Sequence, residues 1–311
     1  MDERWYIIIN PRAGSGKTMS EWMPAERLLT RSSIDFVIRY TEYRKHAIEL
    51  AQRAAQEGYR HILAVGGDGT LHEVFRGIML YCDANSVSAS EFYLGVVPIG
   101  SGNDWIKMMG IPRDAKEAIR LVARKSFGKM DVVRVLHGDG QLCYMANVGG
   151  VGFDSHVCDR VNWQKSMGKR STMIYLRGLI YTLSHIHPLN LRITADDKEV
   201  FNGKCYSVAI GNGKYSGGVM CQVPMARIND GIVDIMIVPV LPVSLILKEI
   251  PKLLTEALTE EDPVVFARGK TITIEPLDDE SKDIFEIDGE VEGSLPMIIR
   301  VGDEQINTLK G

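Results

Sequence analysis

A run of glycines around one aspartate, Gly66-Gly67-Asp68-Gly69-Thr70, combines residue types that can hold a phosphate group. An apolar stretch precedes it and apolar positions at helical spacing follow it, which predicts a strand, a tight turn and a helix start. Glycine lets the backbone approach a ligand closely, and N–H groups at a helix N-terminus favour an anion. Because an aspartate there repels phosphate, the run indicates a metal–nucleotide site in which Asp68 faces Mg²⁺ or a substrate hydroxyl. An ordinary turn is the alternative, since short glycine motifs are weak signals.

The loop after the first predicted strand, residues 5–9, holds further candidates. It runs from Asn10 to a Gly-Lys-Thr ending like that of a Walker A loop, but Pro11 stands where that motif has its first glycine. We therefore exclude a standard P-loop and expect a looser turn that contacts phosphate, with a solvated glycine loop as the alternative. The side chains that could contact phosphate oxygens here are those of Arg12, Ser15 and Lys17.

A second glycine loop, Gly100-Ser101-Gly102-Asn103-Asp104, follows another predicted strand. Two such loops at neighbouring strand ends would form a cradle, which chance explains poorly. Asn103 and Asp104 are candidates to bridge the loops or to reach a bound metal. A local cap or Asx turn is the alternative for each of them.

The segment Asp288-Gly289-Glu290 is the most distant candidate along the chain. Asp-Gly is a favoured pair in hairpin turns, so a turn is the simplest interpretation. Its carboxylates would take part in chemistry only if the fold brought them to the glycine loops.

The pattern of predicted secondary structure changes near residue 130. Before it, strand-like and helical segments alternate, which predicts a doubly wound parallel sheet in an α/β domain of residues 1–130. After it, short β-rich stretches indicate a β-rich, sandwich-like domain of residues 131–294. We expect the chain end, residues 295–311, to pack back on the first domain. Two helical stretches, residues 172–185 and 243–258, interrupt the second domain; each packs in the core or offers apolar side chains to lipid.

Thr41 follows the second predicted strand of the first domain. Threonine is a good helix N-cap, and an apolar-periodic segment follows it. We expect Thr41 to cap a helix that ends near Gly58.

The composition limits the class of protein. The chain has 311 residues and a net charge of −4, which gives no indication of nucleic-acid binding. We expect no signal peptide and no transmembrane segment, because no apolar run approaches the roughly 18 residues that span a bilayer. The five cysteines are odd in number and lack C-x-x-C pairs, which favours free thiols in the cytoplasm.

The motifs are far more specific as an ordered set than one by one. In chain order they are Asn10-Pro11 and Gly14; Thr41 with His46-Ala47; the run from Gly66 to Leu71 with Glu73-Val74 and Gly77; Pro98 with the second glycine loop; Asn147 with Gly152 and Asp154; Asn212 with Gly217-Gly218; Pro224, Ala226, Asp230-Gly231 and Asp234; and Asp288-Gly289-Glu290. The chain resembles the diacylglycerol kinase catalytic-domain family of bacterial lipid kinases, relatives of sphingosine kinases and, more distantly, of NAD kinases and phosphofructokinases. Ser101 stands where that family usually has threonine.

The resemblance implies an enzyme that transfers the γ-phosphate of ATP, with Mg²⁺, to a lipid hydroxyl, and diacylglycerol is the first candidate substrate. It implies that the NAD kinase- and phosphofructokinase-like first domain binds the nucleotide and that the second domain receives the lipid. The candidate nucleotide-binding residues, from the loops and the resemblance together, are Asn10, Arg12, Ser15, Lys17, Thr41, Gly66, Gly67, Gly69, Thr70, Gly100, Ser101, Gly102 and Asn103.

Acidic residues are implied in catalysis and in metal binding. Asp68 and Glu290 would hold Mg²⁺ directly or through water. The base that accepts the hydroxyl proton is Asp288 by comparison with the bacterial lipid kinases, which we favour, or Asp68 by comparison with the sphingosine kinases. Asp230 would contribute to a second, structural cation, with a simple turn as the alternative.

The implied partner is a lipid substrate at a membrane surface, which the enzyme would visit peripherally from the cytoplasm. A homodimer is left open, because the sequence does not set the oligomeric state. The alternatives are a NAD kinase, which shares the first glycine run, and a nucleotide-binding regulator that has lost catalysis. The presence of Asp68, Asn103, Asp288 and Glu290 argues against such a loss.

Overall fold

The chain forms two units in the computed structural model. The described residues are 3–100, 102–166, 187–218 and 220–311. Unit 1 comprises Met1–Val132 and Asp303–Gly311, and unit 2 comprises Val133–Gly302. The helix expected at 172–185 and the nucleotide candidate Ser101 lie outside the described residues.

Unit 1 is built on a parallel sheet. Its strands are β1 (Trp5–Ile9), β2 (Phe36–Tyr40), β3 (His61–Gly66) and β4 (Tyr93–Pro98), in the order β2-β1-β3-β4. The end of strand β17 (Met297–Leu309) runs parallel to β4, with Asn307 opposite Tyr93. The strand β1 is apolar and wholly buried, as expected for a central strand that is covered on both faces.

Helices connect the strands of unit 1. They are α1 (Thr18–Arg31), α2 (His46–Gln56), α3 (Asp68–Asn85), α4 (Trp105–Met109) and α5 (Ala115–Ala123). The helix α2 begins at His46 after a left-handed Lys45, so the prediction that Thr41 caps it is wrong. Glu73 of α3 satisfies its first turn instead, because the Glu73 carboxylate accepts the N–H groups of Lys45 (3.1 Å) and Ala47 (3.3 Å).

Unit 2 is rich in antiparallel strands. They are β5 (Phe127–His137), which enters from unit 1, β6 (Leu142–Met145), β7 (Val148–Gly152), β8 (Leu189–Ala195), β9 (Lys198–Gly211), β10 (Tyr215–Ser216), β11 (Met220–Cys221), β12 (Val233–Pro239), β13 (Val265–Gly269), β14 (Thr271–Pro276), β15 (Ile284–Ile287) and β16 (Glu290–Ser294). The long strand β9 pairs with β8 through its first half and with β7 and β12 through its second half. One apolar cluster from these strands and from the first residues of β17 forms a core, and it includes Val133, Ile210, Phe285 and Ile299.

Two described helices accompany these strands. The helix α6 (Phe153–Ser166) packs against β7, β9, β15 and β16. The helix α7 (Val243–Thr255) lies where the sequence predicts a helix. In the described part of the chain, no helix has the length and apolar character needed to cross a membrane. All five cysteines are free thiols, as predicted.

Candidate active site

Three loops of unit 1 follow the carboxyl ends of neighbouring parallel strands. They leave β1 at Asn10, β3 at Gly67 and β4 at Ile99. Ile9 of β1 is level with Val65 of β3, and Gly66 of β3 is level with Pro98 of β4, so the loops leave one edge of the sheet together, as predicted. Open α/β sheets bind their ligands at this edge.

The two glycine loops touch backbone to backbone. A Cβ atom at Gly100 would lie 2.5 Å from the Cα of Gly67 and 2.6 Å from Oδ1 of Asn103. The N–H of Ile99 donates to the carbonyl of Gly66 (2.7 Å), and Nδ2 of Asn103 donates to the carbonyl of Gly100 (3.0 Å). Glycine is therefore required at position 100 because any side chain would separate the loops.

The N-terminus of α3 opens beside this contact. Gly67 is the N-cap, and its carbonyl accepts the N–H groups of Thr70 (3.0 Å) and Leu71 (3.1 Å). Gly69 is exposed, and a Cβ there would meet no atom within 4 Å. An anion could thus approach the first turn of an 18-residue helix from the side of Gly69.

Asp68 joins the two glycine loops. Its Oδ1 atom accepts the N–H groups of Asp104 (2.8 Å) and Trp105 (3.2 Å). Burial and the neighbouring Asp104 carboxylate raise the pKa of Asp68 to about 6, although the N–H donors lower it in part. Such a carboxyl group can exchange a proton near neutral pH, and a bound cation would favour its ionised form. The Asp104 carboxylate itself lies 2.9 Å from Nζ of Lys107.

Asn10 ties the first loop to the glycine run. Its Nδ2 donates to Oγ1 of Thr70 (3.1 Å), and its Oδ1 accepts the N–H of Arg12 (3.0 Å). Ser15 has a left-handed backbone, with φ of 58°. The side chains of Arg12, Ser15 and Lys17 are exposed, so this loop can reach an anion only from its outer side.

Thr41 stands at the carboxyl end of β2. Its N–H donates to the carbonyl of Ile9 (2.9 Å), which places it beside the Asn10 loop. The N–H of Glu42 donates to Nδ1 of His46 (3.1 Å) and closes the turn before α2. The half-buried Thr41 therefore borders the same sheet edge as the three loops.

Asp288 lies in a two-residue turn of unit 2, which confirms the predicted hairpin. The turn joins β15 to β16, with Ile287 opposite Glu290. The Oδ2 and Oδ1 atoms of Asp288 accept the N–H groups of Ala146 (2.8 Å) and Asn147 (2.8 Å), respectively. The Asp288 N–H donates to the carbonyl of Val148 (2.9 Å). The hairpin is thus fastened to the corner between β6 and β7.

The corner that holds Asp288 is itself braced. The backbone carbonyl of Asn147 accepts the N–H groups of Asn212 (2.9 Å) and Gly213 (2.8 Å). The side-chain Nδ2 of Asn147 donates to the carbonyl of Tyr215 (2.8 Å). Glu290, the first residue of β16, is half-buried next to the turn. These contacts fix the backbone on which both carboxylates of the motif stand.

The described residues offer few side-chain ligands for a metal ion. Among residues 3–100, 102–166, 187–218 and 220–311, no group of three or more His, Cys, Asp or Glu side chains is placed to hold a metal ion. Mg²⁺ in kinases needs only one or two carboxylates, since phosphates and water complete its shell. Asp68 beside an open helix N-terminus fits that requirement. Asp230 is exposed in the turn before β12, and its part in a cation site stays a prediction.

Sequence reasoning gave no role to two acidic residues that shape these sites. Glu73 binds the first turn of α2. Glu286 is buried in β15 and accepts the N–H of Gly289 (2.8 Å). The available signal for Glu286 was an acidic residue between two apolar strand positions, immediately before the Asp-Gly turn.

Comparisons with known proteins agree with this fold. Residues 4–135 match the family described as "Diacylglycerol kinase catalytic domain", and residues 147–310 match "YegS C-terminal NAD kinase beta sandwich-like domain". A Mycobacterium tuberculosis protein named "Diacylglycerol kinase" is 26% identical over 269 residues, which are 86% of this chain and 84% of that protein. A Xanthomonas campestris protein named "Probable lipid kinase YegS-like" is 29% identical over 239 residues, 76% of this chain and 74% of that protein.

A solved structure supports the fold alone. A crystal structure described as a diacylglycerol kinase from Bacillus anthracis superposes with a TM-score of 0.74 at 23% identity, covering 99% of this chain and 97% of that chain. Together with the two family matches, it confirms the predicted α/β parallel-sheet domain followed by a β-rich, sandwich-like domain. The predicted resemblance is confirmed as well: the chain is an enzyme that belongs to the diacylglycerol kinase catalytic-domain family of lipid kinases.

Proposed function

We propose that this protein transfers the γ-phosphate of ATP to the hydroxyl group of diacylglycerol. The observation that carries the proposal is the contact between the two glycine loops beside the open N-terminus of α3. Backbone N–H groups at such an edge can hold phosphate oxygens without the bulk of a side chain. The name of the Mycobacterium tuberculosis relative supports diacylglycerol over other lipids.

The loops of unit 1 would hold the nucleotide. Gly69 leaves its side of the turn open, and Asn10 and Asn103 keep the loops in place through their hydrogen bonds. Thr41 would contact the nucleotide from the end of β2. The exposed Arg12, Ser15 and Lys17 would contact phosphate oxygens, as would Gly66, Gly67, Thr70, Gly100, Ser101 and Gly102 of the glycine loops.

Two aspartates would divide the chemistry. Mg²⁺, when bound, would neutralise charge on the transferring phosphoryl group. Asp68 would hold the cation together with Glu290, directly or through water. Asp288 would accept the proton of the lipid hydroxyl, and the backbone N–H groups of Ala146 and Asn147, one at each oxygen, would hold its carboxylate in place. Asp68, with its pKa raised to about 6, is the alternative base.

The remaining expectations concern the second cation and the membrane. Asp230 would supply one carboxylate to a structural cation, with backbone carbonyls as the other ligands. A diacylglycerol substrate resides in a membrane, so the enzyme would act peripherally at a membrane surface from the cytoplasm. The helix α7 could meet lipid there, because Leu254 is exposed on it.

An assay of the purified chain with separate acceptors tests the proposal. ADP release would be measured with ATP and Mg²⁺ plus dioleoylglycerol, sphingosine, phosphatidylglycerol or NAD, and the products would be identified by mass spectrometry. We expect phosphatidic acid from dioleoylglycerol. Phosphorylation of another lipid in preference would refute diacylglycerol as the substrate, and turnover with NAD alone would refute the lipid kinase activity. No turnover with any acceptor would favour a regulator.

A further inference from the structure

Glu286 is a buried acid in the strand that leads to Asp288. Only 6% of its surface is exposed. Its neighbours Phe285 and Ile287 belong to the apolar core of unit 2. Because side chains alternate along a strand, Glu286 points to the opposite face of the sheet from these two. A buried carboxyl group is costly unless it is hydrogen-bonded, so its contacts indicate what it does.

The contact of Glu286 is with the turn itself. Its Oε2 atom accepts the N–H of Gly289 at 2.8 Å. The turn is left-handed, with φ of 52° at Asp288 and 86° at Gly289. Aspartate tolerates a left-handed backbone better than most residues other than glycine, and a hydrogen bond across the turn stabilises this conformation further. Glu286 accepts such a hydrogen bond from within the same hairpin.

The helix α6 covers the face of the sheet to which Glu286 points. Glu286 pairs with Gly150 of β7, and directly paired residues point to the same face. A Cβ at Gly150 would lie 2.7 Å from the Cβ of Asp154, so Asp154 occupies the space that this glycine leaves. Asp154 is itself fixed by the hydroxyl of Ser207 (2.5 Å) and by Nε2 of Gln222 (2.6 Å). Glu286 therefore has little freedom to move away from Gly289.

The environment of Glu286 favours its neutral form. Burial raises the pKa of Glu286 well above its usual range, and the carboxylates of Asp154, Asp288 and Glu290 add to this shift. The N–H of Gly289 acts in the opposite direction. A neutral carboxyl group still accepts a hydrogen bond through its carbonyl oxygen, and so does the amide of glutamine.

We propose that Glu286 is a positioning residue for Asp288: by accepting the Gly289 N–H, it holds the left-handed turn and with it the direction of the Asp288 carboxylate. The inference rests on the proposed role of Asp288 as the base. Proton transfer requires a base within hydrogen-bond reach of the hydroxyl, and a displacement of about 1 Å can lower a rate 10²-fold.

Steady-state kinetics of Glu286→Gln and Glu286→Leu, with dioleoylglycerol in mixed micelles, test this inference. Glutamine keeps the acceptor, so we expect its kcat to stay within about threefold of the wild type. Leucine matches the apolar burial but cannot accept the Gly289 N–H, so we expect kcat to fall about 10- to 100-fold. The KM for ATP should not change in either variant. Rescue by glutamine and the kcat-specific loss separate positioning from a general loss of structure.

The same pair of substitutions at Glu275 is the matched control. Glu275 lies in β14 of the same unit and binds the side chain of Arg192 (2.6 Å) rather than the turn. We expect both Glu275 variants to have the wild-type kcat. Thermal unfolding would be followed for all variants, and Glu286→Met would replace the leucine variant if that one did not fold.

The outcomes separate this inference from the proposed function. An active wild type with an inactive Asp288→Asn and a fully active Glu286→Leu would overturn the positioning role alone. A fully active Asp288→Asn would refute Asp288 as the base, and the inference with it. Absence of turnover in the wild type would refute the proposed function, and with it the inference that rests on that function. An equal loss of kcat in Glu286→Gln and Glu286→Leu would overturn the acceptor role.

Discussion

Asp68 and Asp288 both accept hydrogen bonds from backbone N–H groups, but in different ways. At Asp68, a single oxygen, Oδ1, accepts the N–H groups of Asp104 and Trp105. At Asp288, each oxygen accepts one donor, from Ala146 and Asn147. The two aspartates therefore differ in how much of the surrounding structure depends on the second carboxylate oxygen.

This difference decides what a substitution by asparagine measures. An amide has one acceptor oxygen and one NH₂ donor. At Asp68 the amide oxygen can keep the hydrogen bonds from Asp104 and Trp105, so the substitution mainly removes the charge. At Asp288 the NH₂ group would face a backbone N–H, and one buried donor would lose its acceptor. Loss of activity at Asp68 thus reports on chemistry, whereas loss at Asp288 combines chemistry with local stability.

The largest expected effect is that of Asp68→Asn. We expect its kcat to fall about 10³-fold, because metal-assisted charge stabilisation contributes several kcal/mol to the barrier. We expect its thermal unfolding midpoint, measured in EDTA, not to fall, since a neutral amide removes the repulsion between Asp68 and Asp104. Turnover assays and calorimetry of the same preparation would measure both.

Asp83→Asn is the control for this substitution, because Asp83 is exposed in the same helix, α3. It should leave activity unchanged, because Asp83 lies in the last turn of α3, at the opposite end from the glycine loops. A normally active Asp68→Asn protein would contradict the proposed role of Asp68 in the nucleotide site. A marked drop in its unfolding midpoint would contradict the argument from the single accepting oxygen.

The second largest effect is that of Asp288→Asn. We expect kcat to fall at least about 10²-fold, as for the loss of a general base. We also expect the free energy of unfolding to fall by about 1–3 kcal/mol, because the N–H of Ala146 loses its acceptor. Urea unfolding of the full chain, followed by tryptophan fluorescence and by circular dichroism, would measure the second effect.

Comparison of the two variants tests which aspartate is the base and how much the hydrogen bonds of Asp288 contribute to stability. If Asp288→Asn is as stable as the wild type, the hydrogen bonds to the β6–β7 corner contribute little to stability. If Asp288→Asn retains normal turnover while Asp68→Asn has none, the proton acceptor is Asp68 and not Asp288.

Much of the region around Asp68 could be predicted from the sequence. Glycines bounded by an apolar strand and a helical pattern specify a turn locally, and two such turns on adjacent parallel strands must share a sheet edge. The bridge from Asp68 to the N–H of Asp104 joins residues that are 36 apart in the chain, and no local pattern encodes it. The helix start at His46 was missed for the same reason, since its partner Glu73 lies in another helix.

The region around Asp288 was less predictable. The hairpin could be predicted from the Asp-Gly pair, because this pair favours the left-handed turn that is observed. Two partners of its carboxylate, Ala146 and Asn147, lie more than 140 residues earlier, and although Asn147 belongs to the ordered motifs, no local pattern pairs it with Asp288. The role of Glu286 depends on strand pairing with Gly150, which periodicity alone does not set. Most of the described contacts that hold Asp288 come from strands far apart in sequence, so they could not be predicted from the sequence.

A smaller effect is expected from adding one methyl group to the glycine loops. In Gly69→Ala the new Cβ has no neighbour within 4 Å, so we expect no loss of stability. The methyl group would occupy the side from which phosphate approaches, and we expect the KM for ATP to rise about tenfold, equivalent to 1.4 kcal/mol.

Gly100→Ala is the matched variant of Gly69→Ala. Its Cβ would lie 2.5 Å from the Cα of Gly67, so overpacking should lower stability by about 1–3 kcal/mol. Equal effects of the two alanines on KM and on stability would show that loop contact and ligand space are not separate in this region. The expected contrast would show that the contact between the glycine loops and the space for phosphate depend on different glycines.

The smallest effect concerns an ion pair that joins α6 to the segment before the Asp288 hairpin. Nε2 of His156 lies 2.9 Å from the carboxylate of Asp283, and this hydrogen bond raises the pKa of His156, with a smaller contribution from Asp159. A raised pKa means that the pair stabilises the fold below about pH 6.5, the unfolded value of histidine, and that this stability is lost as the pH rises through the folded value. Because the His156 side chain is 51% exposed, the contribution should stay below about 1 kcal/mol.

The substitution His156→Gln tests this pair. Unfolding at pH 5.5 and pH 8.5 should show a deficit relative to the wild type only at the lower pH. The same deficit at both values would mean that packing of the imidazole, and not its charge, stabilises the contact. In either case kcat at a fixed pH should not change, because the hydrogen bonds from Ala146 and Asn147, together with the Glu286–Gly289 contact, hold the Asp288 turn independently of this ion pair. A fall in kcat that follows the loss of the ion pair would instead show that α6 contributes to holding the turn, and that Asp288 depends on a wider part of unit 2 than its own contacts indicate.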